Sequence, residues 1–563
     1  MLAQRKMLVK ECIMAQTGLV KGQQYEFQLN IKDLLTSPRF SAGKQEIVYR
    51  DKMRCTYHDL FERINRLGSA LNRLGVKKGD TVAVFDYDSH RYLESYFAVP
   101  MLGAVLFTVN WRLSPDQIEY IMNHAQADVV LIHADFLPIL ASIKDRLKTI
   151  KKVVLLSDSS EATQTDPVVD TEYERMLAGS SPEYDFPELD ENTMATLFYT
   201  TGTTGLPKGV FFSHRQIVIH TLSTATAICC HDTPNRFSTS DVYMPITPMF
   251  HVHAWGFPYI ATMMGVKQVY PGKYDTERLL RLIAKEKVTY SHCVPTILQM
   301  LVTCPMIKEF DLSSWKCITG GSRLPKALAR AALDLGIEVM TGYGMSETCP
   351  VISIANLKPS MKDLDNEQKS EVVIKAGMPI PLMDVRIVAL NGEFLPADGS
   401  TTGQVVIRSP WLTKGYYKDK RSTENLWYGG WLHTGDVAHM DPDGYIQITD
   451  RLKDVIKTGG EWISSLDLEN AITTHEAVQE AAAIGIPDPT WGERPLLIVK
   501  LKPEFEDRGI TPEVLQQFMK NCAAQGKIPK YAVPDQYIIV PEIPKTSVVK
   551  IDKILLRSIY TKD

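Results

Sequence analysis

The chain has 563 residues, 44% of them apolar and 23% charged, a globular composition with enough apolar material for more than one packed unit. Its formal net charge of -4 at pH 7 gives no support to a nucleic-acid-binding or anionic-membrane surface. Nine scattered cysteines without a C-x-x-C spacing read as reduced thiols of a cytoplasmic protein, not as a disulfide frame.

In chain order, Met1 to Lys10 is basic but lacks an apolar h-region, so no secretory signal is expected. From Tyr57 onward strand-like and helix-like segments alternate. Thr81–Phe85 reads as a buried strand, His90–Met101 as a helix and Val105–Val109 as the next strand. Ser114 and Pro115 supply an N-cap and a first-turn proline for a helix ending near His124. Strands at Asp128–Ile132 and Val153–Leu156 follow. Ser157–Asp190 is polar, acidic and rich in Ser, Thr and Pro, and reads as a long surface connection. The alternation then resumes, with Asp275 capping a helix through Lys285, a strand at Val288–Val294, a helix at Pro325–Leu335 and a strand at Glu338–Met340. Strands separated by helices predict parallel sheets covered on both faces, and the repetition predicts two such layers.

After Ile374 the style changes to short strands, Gln404–Ile407 and Tyr445–Ile448 among them, between turn glycines, which predicts a small antiparallel subdomain. Beyond Lys453, a helix at Ser465–Ala477, strands at Ala481–Ile486 and Leu496–Leu501 and a helix at Thr511–Ala523 predict a compact α+β unit. The expected fold class is therefore α/β plus α+β. A large N-terminal domain over 1–452 carries two helix-covered sheets and a small β subdomain, and a small C-terminal domain covers 453–563. No run has the length of a transmembrane segment; peripheral membrane contact stays open.

The densest chemical signal is Tyr199-Thr-Thr-Gly-Thr-Thr-Gly-Leu-Pro-Lys-Gly209, which follows the apolar strand Ala195–Phe198. Glycines expose backbone N–H groups, threonines add hydroxyls and Lys208 adds a cation, the parts that hold a polyphosphate. It is not a P-loop. That motif needs Gly-Lys followed by Ser or Thr, whereas the pairs at Gly43, Gly272 and Gly526 precede Gln45, Tyr274 and Ile528. The loop resembles the signature of the adenylate-forming superfamily, which comprises acyl-CoA ligases, luciferases and peptide-synthetase adenylation domains.

Four later segments match the same superfamily in the same order: Gly342-Tyr-Gly-Met-Ser-Glu-Thr348, Thr434-Gly-Asp436, Asp450-Arg-Leu-Lys-Asp-Val-Ile-Lys457 and Pro544-Lys-Thr-Ser-Val-Val-Lys550. The resemblance implies that Thr200, Thr201, Gly202, Thr203, Thr204 and Lys208 hold the ATP phosphates. It implies that Tyr343 stacks on adenine beside Gly321, Thr341 and Gly342, that Ser346 faces a phosphate, and that Glu347 and Thr200 hold Mg²⁺. Asp436 would accept hydrogen bonds from the ribose hydroxyls, Arg451 and Lys457 would contact the nucleotide, and Lys453 would be the hinge of a mobile C-terminal lid. Lys550 would be the catalytic lysine, stabilising charge at the α-phosphate. Here the chain departs from the family, which has glycine where this sequence has Val549. The loop Thr458-Gly-Gly-Glu-Trp-Ile-Ser464, with Trp462, matches the form found in long-chain fatty acyl-CoA synthetases; its residues Gly459 to Ser464, Gly460 among them, would help form the thiol channel, and the motifs together are nearest to those of medium- and long-chain fatty acyl-CoA synthetases.

Pro248-Met-Phe-His-Val-His-Ala-Trp-Gly256 matches the acyl-pocket entrance. It lacks the aspartate that amino-acid-activating members use, which argues against an α-amino acid. His251 would border the acyl carboxylate, and Trp255 matches a gate tryptophan of long-chain ligases. His251 and His253 suggest no third metal ligand. The implied activity is ATP-dependent ligation of a fatty or related apolar carboxylic acid to CoA through an acyl-adenylate, with a homodimer allowed because long-chain members often dimerise. Three alternatives stay open: acyl transfer to a carrier protein, separate because thirteen residues follow Lys550; an aryl or short-branched acid as substrate; and a nucleotide-binding protein without catalysis.

Overall fold

The structure is a computed structural model. It describes residues 26–159, 167–200, 206–361, 363–389, 391–458, 461–506, 508–545 and 551–561.

The first sheet has seven strands in the order Thr171–Glu172, Lys152–Leu156, Ala127–His133, Thr81–Phe85, Val105–Thr108, Met194–Thr200 and Lys208–Ser213. All neighbours are parallel except the last pair, a hairpin in which Thr200 faces Lys208. A nine-stranded sheet has a parallel centre running from Glu338–Gly344 through Lys316–Thr319, Tyr290–Cys293, Val242–Pro245 and Lys267–Tyr270 to Glu46–Tyr49. The reading from Tyr57 onward missed its edge hairpin, Glu46–Tyr49 with Met53–Thr56, which joins the sheet only by pairing with residues 267–270.

Two helices lie between these sheets. His90–Met101 starts at Ser89, whose side chain accepts from Tyr92 N, and every one of its residues is buried. His214–Cys229 starts with a reciprocal Ser213/Gln216 capping box. Each packs on strands of both sheets, so the apolar surface between the sheets is continuous. Asp275 caps the helix Thr276–Glu286 as expected, accepting from Arg278 N.

The connection at Ser157–Asp190 is not a plain surface loop. Tyr173 is fully buried and donates to Glu94 at 2.6 Å, inside a cluster that includes Arg63 and Glu174. Asp158 binds Tyr49, Arg50 and Arg91. These charges turn inward because each meets an opposite charge or donor there, which local composition does not reveal.

The small subdomain is antiparallel: Asp384–Val388, Gly403–Arg408 and Trp431–Met440 pair in turn, with Trp427–Tyr428 and Ile446–Arg451 on the last of them. Beyond it, Ile456–Thr458, Glu461–Ile463, Val478–Asp488, Gly492–Leu501 and Gln536–Ile539 form a five-stranded sheet with the helices Ser465–Thr473 and Pro512–Ala524. Among the described residues every cysteine is free, and no helix is long and apolar enough to cross a membrane.

Candidate active site

At the carboxyl ends of Lys316–Thr319 and Glu338–Gly344 the backbone opens into a cavity, the usual place for a ligand on a parallel sheet. One wall is Gly320-Gly321 and Gly342 through Ser346; the other is His251, Val252, Trp255 and Phe257; Ile318, Val351 and Ile354 add apolar surface. The glycines are sterically required. A Cβ on Gly320 would meet Gly342 O at 2.8 Å, and one on Gly344 would sit 1.9 Å from Pro350 O. Gly321, at φ +79°, holds a left-handed conformation that costs glycine nothing. The result is a flat backbone slot beside the Tyr343 ring. Thr341 is buried under the slot instead of lining it, and its hydroxyl has no hydrogen-bond partner in the structure.

Tyr343 donates to Asp436 Oδ2 at 2.7 Å, and Arg451 Nε lies 3.4 Å from Asp436 Oδ1. Burial raises the Asp436 carboxyl above its usual value, with Arg451 pulling against that shift. A carboxylate fixed from both sides at the edge of the slot is well placed to accept hydrogen bonds from a diol.

The phosphate-loop candidates are only partly within the described residues. Thr201, Gly202, Thr203 and Thr204 lie outside them. Their flanks are placed: Thr200 and Lys208 end the two strands of a hairpin, with Thr200 Oγ1 3.5 Å from Lys208 O. Lys208 Nζ stands 5.0 Å from the centre of the Tyr416 ring, and Tyr416 donates to Glu347 Oε1 at 2.6 Å. Glu347 is 6% exposed, and burial raises its carboxyl above the ordinary value. Tyr416 thus joins the predicted cation to the predicted metal carboxylate; lying 69 residues from Glu347, it carries no local sequence signal of this role. Its segment is fastened to the same hairpin by Tyr417 N to Gly209 O at 2.8 Å and to the Glu347 turn by Thr413 N to Glu347 O at 3.0 Å.

No cluster of three or more His, Cys, Asp or Glu is placed to cage a metal among the described residues. A buried carboxylate such as Glu347 suits Mg²⁺, which binds through one or two carboxylates and substrate phosphates in place of a full protein cage.

On the opposite wall, His251 is exposed at the cavity, whereas His253 is buried among Tyr96, Phe198, Phe212 and Tyr259, so the two do not form a metal pair. Val252 through Trp255 all have positive φ, from 47° to 59°, an unusual run for residues with side chains. Contacts from the first sheet and from the loop and helix that follow its strand Thr81–Phe85 hold the turn before it. Asp88 Oδ1 accepts from Met249 N at 2.6 Å, Thr108 Oγ1 donates to Phe250 O at 2.9 Å, and the Tyr96 hydroxyl donates to Met249 O.

Lys453 lies in the exposed turn between Ile446–Arg451 and Ile456–Thr458. Lys457 and Trp462 face each other across the hairpin of the C-terminal unit, away from the cavity lining. Gly459, Gly460, Val549 and Lys550 lie outside the described residues.

The pattern of known proteins agrees with this geometry. A family model described as AMP-binding enzyme matches residues 37–417, and one described as AMP-binding enzyme C-terminal domain matches 467–550. The chain belongs to the AMP-binding enzyme family. Among members of that family, it is 40% identical to a long-chain-fatty-acid–CoA ligase of Thermus thermophilus, over 95% of this chain and 96% of the relative. It is 37% identical to a 3-methylmercaptopropionyl-CoA ligase of Ruegeria lacuscaerulensis, over 95% and 98%. The fold superposes with a TM-score of 0.78 and 25% identity on an anthranilate CoA ligase solved with anthranoyl-AMP, over 95% of this chain and 98% of that one.

Proposed function

We propose that this AMP-binding enzyme is an ATP-dependent acid–thiol ligase that converts a fatty or related apolar carboxylic acid into its acyl-CoA. The observation that carries this reading is one cavity in which a glycine-and-tyrosine slot beside Asp436 adjoins the apolar residues Trp255 and Phe257 and the imidazole of His251. A nucleotide and an acid bound there would meet side by side. The named relatives ligate a long-chain fatty acid and a thioether acid to CoA, both monocarboxylates with uncharged tails.

In the first half-reaction a carboxylate oxygen attacks the α-phosphorus of ATP, and the bond to the departing pyrophosphate breaks. In the second, the CoA sulfur attacks the acyl carbon, the bond to AMP breaks and the thiol proton is lost. On this reading Tyr343 and Asp436 orient adenosine, Lys208 and the loop 201–204 steady the pyrophosphate, and His251 borders the carboxylate. Glu347 and Thr200 would hold Mg²⁺, which supplies charge neutralisation at the phosphates. Lys550 serves the first step, and the hairpin of Lys457 and Trp462 serves the second after rotation about Lys453.

The test is pyrophosphate release with ATP and a panel of acids, with and without CoA, read beside thioester formation. The account expects acid-dependent release and acyl-CoA. Absence of acid-dependent release overturns it, and acyl-adenylate without thioester points to a different acceptor.

A further inference from the structure

The two walls of the cavity are held by different parts of the molecule. The slot wall, Gly320-Gly321 and Gly342 through Ser346, grows directly from Lys316–Thr319 and Glu338–Gly344 of the nine-stranded sheet. The His251 wall follows another strand of that sheet, Val242–Pro245, yet its turn is fastened by side chains from elsewhere. Both backbone groups of Met249 are engaged there: its N–H donates to Asp88 Oδ1 at 2.6 Å, and its carbonyl accepts from the Tyr96 hydroxyl. Phe250 O accepts from Thr108 Oγ1 at 2.9 Å, and His251 N closes the turn on Pro248 O at 2.9 Å.

Asp88 is the unusual member of this set. It is 5% exposed, and among the described residues Met249 N is the one hydrogen-bond donor to its carboxyl, which no ion pair reaches. Asp86, two residues earlier, is far better served: it accepts from Ser89 Oγ at 2.6 Å, Tyr87 N at 2.8 Å and Arg91 Nε at 3.3 Å. Those bonds, with Gly272 N donating to the Asp88 carbonyl at 2.9 Å, fix the backbone from which the Asp88 side chain reaches Met249. A buried carboxyl with a single donor costs the fold free energy, so stability does not account for it. What it holds is the approach to Val252 through Trp255, a run whose φ of 47° to 59° disfavours side chains. Such a run keeps its shape only where surrounding contacts over-determine it. His251 stands at its entrance, exposed at the cavity.

Resting on the ligase reading, we propose that Asp88 is a positioning residue for the acid: through Met249 it fixes the turn that aims His251 at the acyl carboxylate, without bearing on the nucleotide slot. Thr108 acts in the same way through Phe250.

The test measures KM for the acid and KM for ATP separately, by pyrophosphate release with the full-length protein. The acid is the best-used member of a straight-chain series from butyrate to palmitate. Asp88→Ala strands a buried N–H and is expected to raise KM for the acid about tenfold, with KM for ATP within about twofold of the unmodified enzyme. Asp88→Asn keeps an acceptor for Met249 N and is expected to recover most of that loss. Thr108→Val, close in shape, is expected to raise KM for the acid about threefold through the lost donor. A cycle with His251→Ala separates positioning from general support: in that background, adding Asp88→Ala is expected to change KM for the acid no further. Additive losses overturn the proposal, as do equal rises in both KM values or an unchanged KM for the acid in folded Asp88→Ala or His251→Ala. If Asp88→Ala does not fold, the same cycle run with Thr108→Val decides. Pyrophosphate release that needs no acid in the unmodified enzyme overturns the ligase reading itself, and the proposal with it.

Discussion

The Tyr416 hydroxyl donates to Glu347 Oε1 at 2.6 Å. The same ring offers its face to the Lys208 ammonium 5.0 Å away, and no ion pair joins Lys208 to Glu347 among the described residues. A ring between the two lets both charges point toward a shared ligand instead of neutralising each other. Replacing Tyr416 with Phe keeps the ring and removes the donor. A hydrogen bond to a charged group contributes about 1.5–3 kcal/mol, so affinity for Mg²⁺-ATP is expected to fall about tenfold or more, with little change in melting temperature. Calorimetric titration of ATP with Mg²⁺ checks this; wild-type affinity in the variant would show that Glu347 needs no such support.

Asp436 is the acceptor at the other edge of the slot, held by Tyr343 and Arg451. Asp436→Asn keeps the shape and loses the charge. It is expected to raise KM for ATP about tenfold, since charge-assisted hydrogen bonds are about twice as strong as neutral ones, while KM for the acid stays unchanged. Parallel increases in both constants would mean that the residue supports the whole cavity, not the nucleotide.

Three buried histidines give the fold an acid sensitivity. Burial pushes His220, His253 and His292 down to about 3, against about 6.5 for a free imidazole. Between those values the unfolded chain binds more protons than the folded one, so this stability is present above pH 6.5 and is lost as pH falls toward 3. Asp88 opposes it. Burial pushes its carboxyl up to about 8, so its contribution is lost as pH rises from about 4 toward 8. Glu347 and Asp436, also raised by burial, act on the same side as Asp88, so the histidine contribution is read as the difference between His253→Phe and the unmodified chain in urea unfolding from pH 5 to pH 7. His253→Phe suits the aromatic surroundings, where neither ring nitrogen has a partner. It should flatten the dependence by about 1.4 kcal/mol per pH unit, one proton's worth. An unaltered slope would contradict a neutral His253.

Lys550→Ala is expected to abolish adenylation while leaving thioester formation from supplied acyl-adenylate largely intact. Single-turnover assays of each half-reaction separate the two. Equal loss in both would remove Lys550 from its proposed place in the first step.

Features encoded by neighbours in the chain were legible, and those encoded by distant partners were not. The helix His90–Met101 shows in the sequence because apolar strand-like runs, Thr81–Phe85 and Val105–Val109, flank it on both sides. The slot shows because Gly344 leaves room for backbone that no side chain would allow. Tyr416 did not show, since Gly415-Tyr-Tyr417 acquires meaning only when Glu347 and Lys208 are brought beside it. Tyr173 was hidden in a polar stretch because its partner, Glu94, is 79 residues away. The rings packed around Trp255, Tyr243, Phe257, Tyr290 and His292, come from two strands and a helix, so this packing has no local signature.

The central claim is that the acid's own oxygen attacks the α-phosphorus at this cavity. Turnover of an acid labelled with ¹⁸O in its carboxylate, in the presence of ATP and CoA, tests it most directly by mass spectrometry of the products. The account predicts one labelled oxygen in AMP, none in pyrophosphate, and an acyl-CoA that retains the other. Label in inorganic phosphate together with ADP, or AMP without label, would contradict it.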